Sequence, residues 1–150
     1  MNGRTPGQPP SPPSSRPDSP PASPLSGCRI LIVDDDADIL GSIQLALRSA
    51  GADTRTAPDG SAAVSAIHEE RPDLVVLDMM LPKASGFLVM EKLHELPSPP
   101  PVIMVTANQG RRHQAYAESL GVGAYFLKPV PLQRLVTKAA ELIANDAKHG

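Results

Sequence analysis

The sequence predicts an α/β fold, a doubly wound, five-stranded parallel sheet with helices on both faces. Three observations predict it. Apolar runs of strand length recur at about 29–33, 73–77, 101–105 and 123–127, continuous enough to be buried on both sides. The stretches between them carry apolar residues at helical spacing. A fifth strand pattern, Asp53 to Thr56, is short and polar, which suits a sheet edge.

The elements follow in order. After the first strand, Ile39, Ile43, Leu47 and Ala50 recur at i, i+4, i+8 and i+11 and mark a helix of about 37–50. Asp36 is its expected N-cap and Gly51 its stop. Beyond the polar strand, Val64 and Ile67 mark a second helix after Pro58-Asp59-Gly60. Phe87, Met90 and Leu93 mark a third. A fourth, at about 110–119, is polar and ends at Gly121. Leu132, Leu135, Val136, Ala139 and Ile143 mark the fifth, with Pro131 in the first turn, where proline is tolerated. Right-handed crossovers wind the helices onto both faces. With the polar strand at the edge, the order becomes 2-1-3-4-5, whose switch point lies between strands 1 and 3.

Residues 1–26 hold nine of the 18 prolines and six serines, a composition that cannot bury apolar surface. A disordered or polyproline-like solvated tail is expected there, with a docking segment as the alternative. The folded domain is placed at 27–147. A formal charge of -2 argues against a general nucleic-acid or membrane-surface binder. With 3% aromatics and no Trp, a base-stacking platform is excluded. Cys28 is the only cysteine, so no internal disulfide forms and a reducing compartment fits. No signal-peptide core or membrane-length run is present, and a cytoplasmic location without membrane contact is expected.

Four polar positions fall at strand C-terminal ends, the edge at which open α/β sheets bind ligands. They are the cluster Asp34-Asp35-Asp36, then Asp78, Thr106 and Lys128. Singly, each has a plainer reading as helix cap, turn residue or surface lysine. Together they assemble carboxylates, a hydroxyl and an ammonium. Two carboxylates ~4 Å apart repel by about 4 kcal/mol at an effective dielectric near 20. A divalent cation offsets that, and Mg²⁺ accepts one or two carboxylates while leaving room for phosphate oxygens. The set therefore suits a phosphoryl group, with Asp78 as acceptor and Lys128 as clamp.

The strings ILIVDDD, PDLVVLDMMLP, VIMVTA and AYFLKP occur in that order. On them, the chain from about Arg29 to Ala144 resembles the receiver domain of two-component response regulators, a flavodoxin-like fold. The resemblance implies that Asp78 accepts a phosphoryl group from a histidine kinase. It implies Mg²⁺ held by Asp35, Asp78 and the Met80 backbone carbonyl, with Asp34 assisting. It gives Thr106, the Ala107 backbone and Lys128 phosphoryl-binding roles, and makes Thr106 and Tyr125 a switch pair. Where the family commonly has Asp before Gly86, this chain has Ser85, which can still cap helix 3. Lys83 adds a positive charge beside the pocket, and Met79 and Met80 are read as loop packing, with Met80 placed to screen water. Arg111, Arg112 and His113 are read as a solvated start of helix 4.

The expected protein is a stand-alone signalling module without an output domain. It signals through protein contacts on the helix 4–strand 5–helix 5 face, with no direct nucleic-acid contact. Relay to a histidine phosphotransfer protein is an equal possibility. Two other classes compete. One is a small haloacid-dehalogenase-like phosphatase with Asp34 as nucleophile, whose D-x-D-x-T/V signature Asp34-Asp35-Asp36-Ala37-Asp38 approaches but does not complete. The other is a binding module that works without phosphorylation.

Overall fold

A computed structural model describes residues 23–81, 86–107 and 111–149, with the side chains of 111–113 and 147–149 left aside. The order is β1 (Arg29–Val33), α1 (Ala37–Ser49), β2 (Asp53–Ala57), α2 (Gly60–Glu69), β3 (Leu74–Asp78), α3 (Gly86–His94), β4 (Val102–Thr106), α4 (Arg111–Ser119), β5 (Ala124–Leu127) and α5 (Leu132–His149). All strand pairs are parallel and the sheet order is β2-β1-β3-β4-β5. The polar strand lies at the edge as expected. The Lys128–Pro129 peptide is cis.

Strand pleating divides the core in two, because successive side chains point to opposite faces. Leu31, Val33, Val75, Leu77 and Met104 pack against α2 and α3. Ile30, Ile32, Val76, Ile103, Val105 and Phe126 pack against α1 and α5. The helices bury residues their periodicity selected, Ile43 and Leu47 on α1 and Met90 and Leu93 on α3, while Phe87 is half-buried and Val89, which the pattern did not select, is buried beside them.

Helix α1 is closed at both ends by its own sequence. The Asp36 carboxylate accepts hydrogen bonds from the N–H groups of Asp38 and Ile39 at 2.9 and 3.2 Å. At the other end Gly51 takes φ +102°, its N–H donates to Arg48 O, and the Ala52 N–H donates to Leu47 O. This is a Schellman closure.

The structure departs from the sequence expectations in four places. Asp78 and Thr106 are the last residues of their strands rather than the first beyond them. The ladder continues past each, with Met79 N–H donating to Val105 O and Lys128 N–H to Thr106 O. Pro131 precedes α5 rather than sitting inside its first turn, and its carbonyl accepts from Leu135 N–H. Met79 is fully buried as loop packing, whereas Met80 is 60% exposed and packs little.

The fourth departure concerns the domain boundary. The sequence places residues 23–26 in the tail, yet Leu25 is fully buried in the core cluster of Leu47, Ala50 and Ala139, and its N–H donates to Ala50 O at 2.9 Å. Burying a leucine is worth about 1.5–3 kcal/mol, enough to draw Ser23, Pro24 and Ser26 onto the domain with it. The rest of the expected tail, and the readings of Lys83, Ser85 and the Arg111-Arg112-His113 side chains, lie outside the described residues.

Candidate phosphoryl-acceptor site

Pleat parity sorts the polar strand-end residues. Asp34 continues the Ile30, Ile32 alternation, Asp78 continues Leu74, Val76, and Lys128 continues Ala124, Phe126. All three therefore lean to the α1–α5 side of the sheet edge. Thr106 and Tyr125 lie on the opposite parity, with Met104, which is the direct cross-strand neighbour of Tyr125.

The three convergent groups meet. Lys128 Nζ is 2.8 Å from Asp34 Oδ2 and 3.2 Å from Asp78 Oδ2. Asp34 is fully buried and Asp78 nearly so, while the lysine stem is mostly covered. The remaining carboxylate oxygens have backbone donors. Asp36 N–H donates to Asp34 Oδ1 at 2.9 Å, and Met80 N–H to Asp78 Oδ1 at 3.1 Å. Asp35 is exposed, yet its carboxylate joins those of Asp34 and Asp78 in a group whose oxygens lie within 4.8 Å of one another.

Burial pushes the Asp78 carboxyl above the usual carboxylate range. The Met80 N–H and the Lys128 ammonium oppose that shift, and the neighbouring Asp34 reinforces it. Burial alone would lower Lys128, but contact with Asp34 and the charge of Asp78 outweigh it and hold the ammonium above its ordinary value. The pocket thus holds more negative charge than one lysine neutralises.

The donor set fits a divalent cation on a second count. The Asp34 Oδ2 contact with Lys128 is an ion pair, and measured by hydrogen-bond geometry this buried oxygen has no aligned donor among the described residues. A cation held by Asp34, Asp35 and Asp78 would add positive charge to a carboxylate group that, among the described residues, Lys128 alone now serves.

Thr106 is fully buried at the end of β4. Tyr125 is half-buried on β5 against the α2–α3 core, and burial raises its phenol above the ordinary value. Ala107 is exposed just beyond Thr106.

One residue that positions the site escaped the sequence reading. A Cβ placed on Gly86 would stand 2.5 Å from Asp78 O and 2.8 Å from Met79 Cα. Gly86 N–H also donates to Met79 O at 2.9 Å. Only a residue without a side chain lets α3 begin this close to the end of β3. The one available signal was a glycine opening a helical pattern a few residues after Asp78.

The family model for the response regulator receiver domain matches residues 30–140. Among curated relatives, the DNA-binding response regulator MtrA of Mycobacterium tuberculosis is 39% identical over 119 residues, 79% of this chain and 52% of that protein. The transcriptional regulatory protein PrrA of the same species is 34% identical over 115 residues, 77% of this chain and 49% of that protein. The chain thus spans about half the length of the curated relatives it matches. A CheY-like receiver domain from Methanospirillum hungatei superposes with a TM-score of 0.77 at 32% identity, covering 82% of this chain and 98% of that one. A putative response regulator from Chloroflexus aurantiacus gives 0.74 at 29%, covering 78% and 98%. With a sheet order, a family match and relatives that all agree, the chain belongs to the response regulator receiver domain family of two-component systems.

Proposed function

We propose that this receiver takes a phosphoryl group onto Asp78 from the phosphohistidine of a histidine kinase, in a Mg²⁺-dependent reaction, and uses it to change protein contacts. The observation that carries the reading is the position of Asp78, whose carboxylate is gripped by Lys128 at 3.2 Å and ringed by Asp34 and Asp35.

An Asp78 carboxylate oxygen attacks phosphorus, and the O–P bond forms as the N–P bond breaks. The electron pair of the broken bond stays on the imidazole nitrogen. Asp34, Asp35 and Asp78, with the Met80 carbonyl, would hold the cation, which when bound offsets the crowded carboxylates and neutralises charge on the phosphoryl oxygens. Lys128 is already placed to follow its charge from the carboxylate to the phosphoryl group. Thr106 and the Ala107 N–H would supply further donors to the phosphoryl oxygens.

Phosphorylation adds about -1.5 to -2 charges and three acceptor oxygens. Drawing Thr106 toward them would open space on the face it shares with Tyr125, passing the change to β5 and the α4–β5–α5 surface. A shift from 1:99 to 99:1 requires about 5.5 kcal/mol, which several charge-assisted hydrogen bonds can supply. The folded unit is taken as one domain from about residue 23 to 147, in a cytoplasmic setting. No described helix is long and apolar enough to cross a membrane.

A second reading of the output has an observation behind it. One relative is named a DNA-binding response regulator, and the match spans only 52% of it. The same receiver would then govern a DNA-binding output. The phosphatase reading is disfavoured because Asp34-Asp35-Asp36-Ala37-Asp38 does not complete that family's signature and the matching family model is that of the receiver domain. The test is to expose the protein to acetyl phosphate and Mg²⁺, then follow stoichiometry. One acid-labile, hydroxylamine-sensitive phosphoryl group per chain is expected, and none should form on Asp78→Asn.

A further inference from the structure

Helix α3 starts against the acceptor strand. Gly86 N–H donates to Met79 O at 2.9 Å, and its backbone lies so close that an added Cβ would stand 2.5 Å from Asp78 O. Phe87 follows directly and packs, half-buried, against the α2–α3 core. Its ring centroid is 4.5 Å from that of Tyr116 on α4, with the planes at 63°. This is an edge-to-face pair, a geometry in which rings attract beyond their burial.

That contact matters because α4 has little else to hold it. Among its described side chains only Ala117 is buried, and Tyr116 itself is 46% exposed. On the other side of the contact lies the backbone that serves the acceptor. Met79 is fully buried, and Met80 N–H donates to Asp78 Oδ1 at 3.1 Å. A path of packed and bonded atoms therefore runs from Tyr116 through Phe87, Gly86 and Met79 to the Asp78 carboxylate. It passes through α3 and α4, whereas Thr106 and Tyr125 lie on β4 and β5.

We propose that Tyr116 is a positioning residue for the acceptor site. Its ring braces Phe87, which keeps Gly86 against Met79 and so fixes the backbone that donates to Asp78 Oδ1. Coupling of this kind is reciprocal: a partner that binds α4 and displaces Tyr116 alters the affinity of the site for its ligand, and the ligand alters affinity for the partner by the same factor. The effect on a cation rests on the function proposed above, in which the Met80 carbonyl is a ligand. The bracing does not.

Amide hydrogen exchange on the full, metal-free chain tests the bracing. Tyr116→Ala should speed exchange at Gly86 and Met80 by about two- to tenfold beyond any change at Ile32 and Val76, whose central-strand amides report global opening. Phe87→Leu, which keeps apolar bulk in the core, should do the same. Tyr116→Phe keeps the ring and should restore the parent rates, and Gln114→Ala, exposed on the same helix, should leave them unchanged. No excess acceleration at Gly86 and Met80, or a Tyr116→Phe protein that exchanges like Tyr116→Ala, overturns the proposal. The second readout uses Mg²⁺ alone. Tyr116→Ala should bind it about two- to tenfold more weakly than the parent, and equal affinity overturns the coupling. A parent that binds no Mg²⁺ counts against the proposed function, while the exchange rates still decide whether Tyr116 braces the site.

Discussion

Lys128 reaches past β4 to place its ammonium 3.2 Å from Asp78, while holding Asp34 at 2.8 Å. One cation therefore serves two buried carboxylates that begin on different strands. Removing it leaves both charges enclosed with backbone N–H donors but no counter-charge among the described residues. Breaking a buried pair in this way costs about 3–5 kcal/mol. Lys128→Met is expected to lower the stability of the metal-free protein by roughly that amount in urea unfolding, with no change in fold by circular dichroism.

Asp78→Asn should act in the opposite direction. The Asp78 carboxyl is raised by burial, so the folded state holds its proton more tightly than the unfolded chain. Its contribution is therefore favourable at low pH and lost as pH rises from the unfolded value through the folded one. Above that window, metal-free Asp78→Asn should be more stable than the parent, and the difference should vanish in acid. Thermal unfolding of the two proteins across the carboxylate range measures it. A constant difference at every pH would show that the charge is not the cause.

These two effects were only partly legible in the sequence. Apolar patterning indicated most strands and helices, because each buried stripe repeats at its element's own spacing, as Ile39, Ile43 and Leu47 do on α1, whereas the polar β2 and α4 were indicated by their place between those elements. The strand-end placement of Asp78, Thr106 and Lys128 also followed from that pattern. What sequence spacing does not encode is which strand ends touch. That Lys128 lies closer to Asp34 than to Asp78 depends on the reach of a side chain past an intervening strand. Leu25 was missed for a related reason. A single leucine among prolines and serines has no periodic companion, so only tertiary packing reveals it as core.

Leu25→Ala tests that boundary. Truncating a fully buried leucine costs about 2–5 kcal/mol. A loss in that range is expected by chemical denaturation, while a surface residue would cost within about 0.5 kcal/mol.

Gly86→Ala should damage the site through the backbone. The added Cβ meets the Asp78 carbonyl and Met79 Cα, neither of which can swing aside as a flexible side chain would. Reduced stability is expected together with weaker Mg²⁺ binding, since α3 must retreat from the end of β3. Isothermal titration of both proteins separates this from a purely global loss.

Mg²⁺ itself should stabilise the folded chain, by about 2.7 kcal/mol at a concentration one hundred times its Kd. Asp35→Asn is the selective probe because Asp35 is exposed and contributes to the carboxylate group without anchoring the core. Its metal-free melting temperature should stay near that of the parent, while the Mg²⁺-induced rise shrinks.

The central claim is that Asp78 is the acceptor. The most direct measurement is to phosphorylate the protein with acetyl phosphate and Mg²⁺, trap the acyl phosphate by borohydride reduction, and locate the modified residue by mass spectrometry. The account predicts homoserine at position 78 alone. Modification of Asp34, or full labelling retained by Asp78→Asn, would contradict it.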